Sequence, residues 1–171
     1  MGWISPTGFV DGGGTWNSEN LAYDENTGNY AYEDIGSIGY GNYIELTLGS
    51  AIDCDKVQIW SERSAANVDT IDVDVYYNTA WNNIYSGALT ISIFVEYAIG
   101  STESVTAVRI RYSTNKKSRQ ARICELDFNE VSAGPQYKKV AFASEPPTPN
   151  AWNQLNRDVG TGWKRIKYEG D

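Results

Sequence analysis

A short polar loop at residues 24–27 is the first place in this chain where side chains could do chemistry. It contains Asp24, Asn26 and Thr27. Hard cations such as Ca²⁺ take several oxygen ligands from carboxylates, amides and backbone carbonyls. The same residue types also close Asx-type turns, in which the side chain bonds the backbone two residues on. The loop therefore predicts either a Ca²⁺ site or a self-closed turn.

A second pair of carboxylates, Asp72 and Asp74, is spaced i, i+2 on a predicted strand. Side chains at this spacing share one face, about 7 Å apart, which is compatible with the acid and base of a glycosidase. However, alternating strands commonly carry carboxylates on their solvent face, and no pocket is indicated around these two. We therefore expect a solvated strand face and no catalytic residues.

Aromatic residues are concentrated in the Gly-rich first 43 residues. Rings on loops stack on sugars or anchor protein interfaces, whereas rings in an irregular core only fill space. The second interpretation suits Tyr43 best. We predict ligand contacts for Trp16, Tyr32 and Tyr40. The set as a whole comprises Trp16, Tyr23, Tyr30, Tyr32, Tyr40 and Tyr43.

Composition excludes several function classes. The chain has 171 residues, a formal net charge of -8 and no His. Without His there is no Ser-His-Asp or Cys-His nucleophile and no imidazole metal site. The acidic charge does not fit nucleic-acid binding, which needs clustered Lys and Arg. No apolar run approaches the ~20 residues of a membrane span, yet 41% hydrophobic residues suffice for one buried core.

The two cysteines, Cys54 and Cys124, leave two alternatives open. A disulfide between them would close a long loop and contribute about 4 kcal/mol in the chain-entropy model. Alternatively, both are free thiols that pack as small apolar residues.

Alternation of apolar and polar residues predicts a series of strands and no long helix. It is clearest at 70–77, where Ile71, Val73 and Val75 share one face. Further strands are predicted at 43–48, 56–60, 81–85, 91–97, 108–112 and 122–131. Without crossover helices the pairing must be antiparallel. The sequence therefore predicts an all-β sandwich or barrel.

The two ends of the chain depart from this pattern. The first 40 residues predict long loops with one or two strands, so residues 1–133 form the sandwich with its N-terminal loops. Residues 134–171 predict a strand, a proline linker at 145–149 and an arm that docks on its own sandwich or on a neighbouring subunit. The second alternative implies a homo-oligomer or larger assembly. The apolar residues of the arm are Trp152, Leu155, Trp163, Ile166 and Tyr168.

Several segments, in order, are similar to one known family. They are 22–27 (AYDENT), 42–49 (NYIELTLG), 57–60 (VQIW), 73–81, 108–112 (VRIRY) and 123–126 (ICEL). Together they make residues 21–131 resemble the discoidin, or coagulation-factor C-type, domain of the galactose-binding-like superfamily. The resemblance implies a jelly-roll-like β-sandwich that binds ligands through loops at one end.

The resemblance also implies roles for particular residues. In that family the loop matching Asp24 and Asn26 often binds a structural Ca²⁺, with a Glu of the last strand, here Glu125, completing the ligands. The alternative is that Glu125 is solvated or paired with Arg122. Ligand contacts often come from the segment Arg63–Asn67. The basic loop at 115–119, which contains Lys116, either adds solubility alone or, as such loops can in this fold, rims the same site.

Two functions follow from these features. The main hypothesis is a non-enzymatic structural and binding subunit of a virion, such as a phage, or of an extracellular assembly. It draws on the apolar arm, the single domain and the absence of a visible signal peptide. The alternative is a lectin-like module that binds cell-surface glycans. Both place the protein on a virion or extracellular surface.

Overall fold

Ten strands and one short helix make up residues 2–131, the part of the chain that the computed structural model describes. The strands are β1 (Gly2–Ile4), β2 (Gly8–Val10), β3 (Trp16–Asn17), β4 (Ala31–Ile35), β5 (Gly39–Tyr40), β6 (Ile44–Arg63), β7 (Val68–Tyr77), β8 (Ala80–Ala88), β9 (Phe94–Thr114) and β10 (Arg119–Glu130). A 3₁₀ helix spans Glu19–Ala22. Every strand pair is antiparallel, so the predicted all-β sandwich is confirmed.

Two long strands, β6 and β9, join the layers of the sandwich. The first layer contains β3, β4, β10 and the second half of β6. The second contains β2, the first half of β6, the second half of β9, β7 and β8. The pairing of β6 with β9 shifts register between Thr47 and Ile52, and Gly100 of β9 has φ +94°, which favours glycine. These irregularities explain why the sequence predicted two strands where the structure has one.

The β7–β8 hairpin follows the predicted alternation. Ile71, Val73 and Val75 are fully buried in the core. The turn residues Asn78 and Thr79 have φ +50° and +62°. Positive φ at both central positions gives the turn the twist of the flanking strands.

The N-terminal region contains more strand than predicted, because β1 to β5 and the helix all fall within the first 40 residues. The buried Glu33 carboxylate organises it by accepting hydrogen bonds from the Thr15 hydroxyl and the Asn42 backbone N–H. Trp16 is only 4% exposed, and its indole donates to the Asn42 carbonyl. The structure thus corrects the prediction for Trp16, which is a core residue rather than a surface ring.

Both cysteines are buried free thiols, which decides between the two alternatives. Burial raises the pKa of Cys54 and of Cys124 to about 11. The thiols therefore pack as small apolar groups.

No helix in residues 2–131 is long and apolar enough to cross a membrane. The predicted arm residues Trp152, Leu155, Trp163, Ile166 and Tyr168 lie outside the described residues.

One buried hydrogen bond joins the two layers across the core. The hydroxyl groups of Ser61 on β6 and Tyr112 on β9 are 2.7 Å apart, and both residues are buried. The Tyr112 ring also lies 6.3 Å from the ring of Trp16. This contact fixes the core at the end where β6 and β9 reach their C-terminal residues.

We expect Tyr112→Phe to lower the free energy of unfolding by about 1–2 kcal/mol, because it leaves the Ser61 hydroxyl buried without a partner. Urea denaturation measures this change. The control, Tyr85→Phe, removes a hydroxyl that bonds Ala88 at an exposed edge and should cost less than about 0.5 kcal/mol. Equal losses in the two variants would contradict the assignment.

Candidate functional site

The carboxylates of Asp72 and Asp74 are buried, which corrects the expected solvated strand face. Arg111 pairs with Asp72 at 2.8 Å, and Arg109 pairs with Asp74 at 2.7 Å. The Asn83 amide donates to both carboxylates, at 2.8 Å each. The pair therefore neutralises two arginines of the neighbouring strand and has no free position for acid–base chemistry.

Aromatic rings and the same two arginines alternate across the outer face of the second layer. The Arg109 guanidinium lies over the rings of Trp81 and Tyr43, at 4.7 and 4.2 Å. The Arg111 guanidinium lies over Tyr43 and Tyr40, at 4.4 and 4.3 Å. We call Trp81, Arg109, Tyr43, Arg111 and Tyr40 the arginine–aromatic stack. Each contact at this distance is an attractive cation–π interaction.

Hydrogen bonds tie the stack to the carboxylates beneath it. The Tyr43 hydroxyl donates to Asp72 at 2.8 Å. Burial alone would raise the pKa of Asp72, but hydrogen bonds from Tyr43 and Arg111 hold it below its usual value. Burial and the bond to Asp72 together raise the pKa of Tyr43. The face is thus a fully partnered network that holds Tyr40 in place.

Three loops meet at the end of the sandwich beside Tyr40. Strand β5 pairs Tyr40 with Ser113, next to the loop at 115–118. That loop is bonded to the loop at 64–67, because the Asn67 amide donates to Asn115 at 3.1 Å. The Arg119 Nε donates to Asn67 at 3.3 Å. We call residues 36–40, 64–67 and 115–118, with the flanking Arg63 and Arg119, the loop end.

The loop end exposes both apolar and cationic groups. Tyr40 is 44% exposed. Lys116 and Lys117 are exposed, and Arg63 donates to the Val68 carbonyl at 2.8 Å. In residues 2–131, none of the cations at this end takes part in an ion pair. An exposed ring beside side-chain amides and cations offers stacking and hydrogen bonding to a polar ligand.

The predicted ligand residues fall into two groups. The structure brings Tyr40, Arg63 and Lys116 together at the loop end. Tyr32 is half-buried on β4, opposite Arg122, with its ring edge-on to Tyr30. Neither it nor the buried Trp16 belongs to the loop end. Asn67 is the last residue of the predicted contact segment, but its local sequence carried no signal that its side chain joins two loops.

A separate cleft of about 420 Å³ lies beside the polar loop at 24–27, where the sequence predicted a Ca²⁺ site as one of two alternatives. Its lining includes Asn26, Thr27, Gln58, Phe94, Glu125 and Asp127. Glu125 is 3% exposed, and its Oε2 accepts the Asn26 backbone N–H at 3.2 Å. Its Oε1 is buried without a hydrogen-bond partner among residues 2–131. Burial, together with the charge of Asp127, raises the pKa of Glu125 to about 7.

The polar loop that begins at Asp24 also contains the Asx-type turns that the sequence predicted as the alternative to a Ca²⁺ site. Asp24 accepts the Asn26 backbone N–H at 3.1 Å, and Asn26 accepts the Gly28 N–H at 2.9 Å. Within residues 2–131, no three carboxylates or thiols gather into a metal-binding group. A cation here would need Glu125 together with oxygens of the loop. The orphaned Glu125 oxygen fits such a cation, since it lacks any other partner.

Solved carbohydrate-binding modules share this fold. The family 32 module of AlyQ, in complex with 4,5-unsaturated mannuronic acid, has a TM-score of 0.57 at 15% identity over 77% of this chain and 100% of that module. A Streptococcus pneumoniae fucose-binding module, SpX-3, has a TM-score of 0.55 at 13% identity over 77% and 99%. The chain has the galactose-binding-like fold. The family 32 module of Clostridium perfringens NanJ, in complex with galactose, gives 0.54 at 15% over 74% and 96%.

The galactose-binding-like sandwich is the fold that the sequence resemblance implied, so the fold prediction is confirmed. No protein-family model matches the sequence. No curated protein matches it either. The named neighbours are binding modules.

We expect the stability of the sandwich to fall as the pH drops below about 4, because Asp72 has a lower pKa in the folded chain than when unfolded. Its contribution is present above the unfolded pKa and is lost as the pH falls through the folded one. Urea denaturation at about pH 7 and pH 3 measures the loss.

Asp72→Asn should cost about 1–3 kcal/mol at neutral pH and make the acid-dependent loss smaller. Asp34→Asn is the matched control, because Asp34 is exposed and bonds only the Gln120 amide. An unchanged acid dependence in Asp72→Asn would contradict the role of this carboxylate.

Proposed function

We propose that this chain is a non-catalytic carbohydrate-binding module that binds glycans at the loop end. The observation that carries the proposal is the fold, which matches sugar-binding modules over almost their entire lengths. Fold alone does not decide function, so the proposal also needs a suitable site.

The loop end offers the groups that sugar recognition uses. The exposed Tyr40 ring provides an apolar face on which a sugar ring can stack. The amides of Asn67 and Asn115 and the guanidinium of Arg63 are fixed by hydrogen bonds to neighbouring loops. Groups held in one arrangement before binding lose less entropy when the ligand arrives.

The comparisons favour this hypothesis over the structural virion subunit. None of the three neighbours described above is a virion protein. The assembly hypothesis depended on the arm at Trp152–Tyr168, which lies outside the described residues. The assembly hypothesis stays a prediction, and so does the homo-oligomer that it implied.

We expect Tyr40→Ala to weaken glycan binding about tenfold, because loss of stacking over one ring is worth about 1.4 kcal/mol. A glycan array identifies a ligand for the full chain, and calorimetry then measures Kd. The control is Trp3→Ala, since Trp3 is 38% exposed but pairs with Asn129 near the far end of β10.

An array without any bound glycan would overturn the proposed function. An equal loss of affinity in Tyr40→Ala and Trp3→Ala would move the site away from the loop end.

We further propose that Glu125 and the loop at 24–29 hold a structural Ca²⁺. The support is the buried Glu125 oxygen without a partner, beside a loop rich in oxygen ligands. Asp24 and Asn26 would contribute with backbone carbonyls of the loop. A bound Ca²⁺ would neutralise the buried carboxylate and fix the loop against β10.

Ca²⁺ should therefore raise the melting temperature of the full chain relative to EDTA. At a calcium concentration about one hundred times Kd, the added stability is about 2.7 kcal/mol. Glu125→Gln should abolish the shift, because it removes the charged ligand. Glu103→Gln, which changes an exposed-edge side chain bonded to Ser101, should keep it. A shift of equal size in the wild type and Glu125→Gln would reject this ligand assignment.

A further inference from the structure

We infer that the loop end selects acidic glycans, whose sugars carry carboxylates, over neutral ones. The inference rests on the proposed function and names the ligand class of the same site. It is drawn from where the cations of this acidic chain lie and from what each of them bonds.

The cations of the described domain are unevenly distributed. Residues 2–131 contain eight Lys and Arg residues. Lys56, Arg109 and Arg111 are each paired with a carboxylate at 2.7 or 2.8 Å. Four of the other five belong to the loop end, namely Arg63, Lys116, Lys117 and Arg119. A chain of net charge -8 thus has one end with cations that no carboxylate in residues 2–131 neutralises by an ion pair.

Two acidic groups on the strands that flank the loop end are already engaged by amides. Asp34 accepts the Gln120 amide at 3.3 Å, and Asp69 accepts the Asn115 amide at 2.8 Å. These two carboxylates lower the positive potential without occupying the guanidinium groups. Arg119 and Arg63 therefore keep N–H donors for a ligand.

The positions of the arginines suit a carboxylate. Arg119 is held by Asn67 through its Nε and by the Ser118 carbonyl through Nη1, and Arg63 is held by backbone carbonyls through Nη1. The Nη2 of each guanidinium makes none of these bonds and can present its N–H groups to an acceptor. Such charge-assisted bonds are about twice as strong as neutral ones. Tyr40 belongs to the same end of the sandwich, where it pairs with Ser113. The inferred ligand therefore places its carboxylate at the arginines and its sugar ring at the tyrosine.

The loop end and the cleft at Glu125 differ in charge. The cleft at Glu125 and Asp127 contains carboxylates and no Lys or Arg among its lining residues. An acidic glycan is repelled there and attracted at the loop end. Four cations are too few for the extended contacts by which proteins bind nucleic-acid duplexes. The charge pattern therefore favours a short acidic oligosaccharide.

The experiment compares a uronic-acid oligosaccharide with a neutral oligosaccharide of equal length, using the full chain and calorimetry. We expect the uronic-acid oligosaccharide to bind at least about tenfold more tightly, and the difference to shrink as salt rises. Arg119→Gln should weaken uronate binding about tenfold or more, since it removes a charge-assisted hydrogen bond. Lys56→Gln removes the same charge away from the loop end and should leave the affinity within about twofold.

Each alternative outcome has a definite meaning. Equal or tighter binding of the neutral oligosaccharide overturns the acidic-glycan inference and leaves the proposed function standing. Equal weakening by Arg119→Gln and Lys56→Gln overturns it too, because the effect would then come from net charge alone. Binding of a DNA oligonucleotide of equal charge with the same affinity would also overturn it. Failure to bind any glycan overturns the proposed function itself.

Discussion

Two buried carboxylates on one strand constrain the whole second layer. Asp72 and Asp74 face the outside of the sheet but are almost fully covered. A buried carboxylate without a partner costs several kcal/mol, so each must keep its arginine. The Tyr43 ring lies against the guanidinium groups of both arginines and so sits on the outer face of the sheet. The segment from 36 to 43 is positioned as a result, because the last ring of the stack, Tyr40, belongs to it. The ion pairs of Asp72 and Asp74 on β7 thus help to position the exposed Tyr40 at the loop end, because Arg111 contacts both Asp72 and the Tyr40 ring.

Strand β10 connects regions of opposite electrostatic character. It begins at Arg119, among cations that form no ion pair within residues 2–131, and six residues later it reaches the buried Glu125. A register shift between Ile123 and Glu125 turns that carboxylate to the outer face, beneath the loop at 24–29. The same irregularity lets Ile123 and Leu126, three residues apart, both pack in the core. A single bulge therefore creates the orphaned oxygen without exposing the core. It also separates an anionic cleft from a cationic end on one rigid element.

Sequence reasoning predicted the strands in which apolar and polar residues alternate, but it missed the side chains that cover the outer faces of these strands. The pattern at 70–77 predicted both the strand and its core face, since period two determines the side of each residue. It could not show that Asp72 and Asp74 lie beneath rings from residues 40, 43 and 81, which are distant in sequence. Trp16 was assigned to the surface because its strand, Trp16–Asn17, is too short to alternate. The contact between Asn26 and Glu125, 99 residues apart, was foreseen only through the family resemblance.

The position of β10 between β4 and β6 determines the order in which this domain is able to fold. The last described strand is the centre of the first layer, and it also pairs with β1, so Gly2 meets Glu130. Until residues 119–130 leave the ribosome, β4 and half of β6 have no shared neighbour. Only the second layer, built on the β7–β8 hairpin, has its partners closer along the chain. Such long-range closure gives a high contact order, which slows folding and prolongs the exposure of unpaired edges. Until β10 has been synthesised, the first layer therefore lacks its central strand.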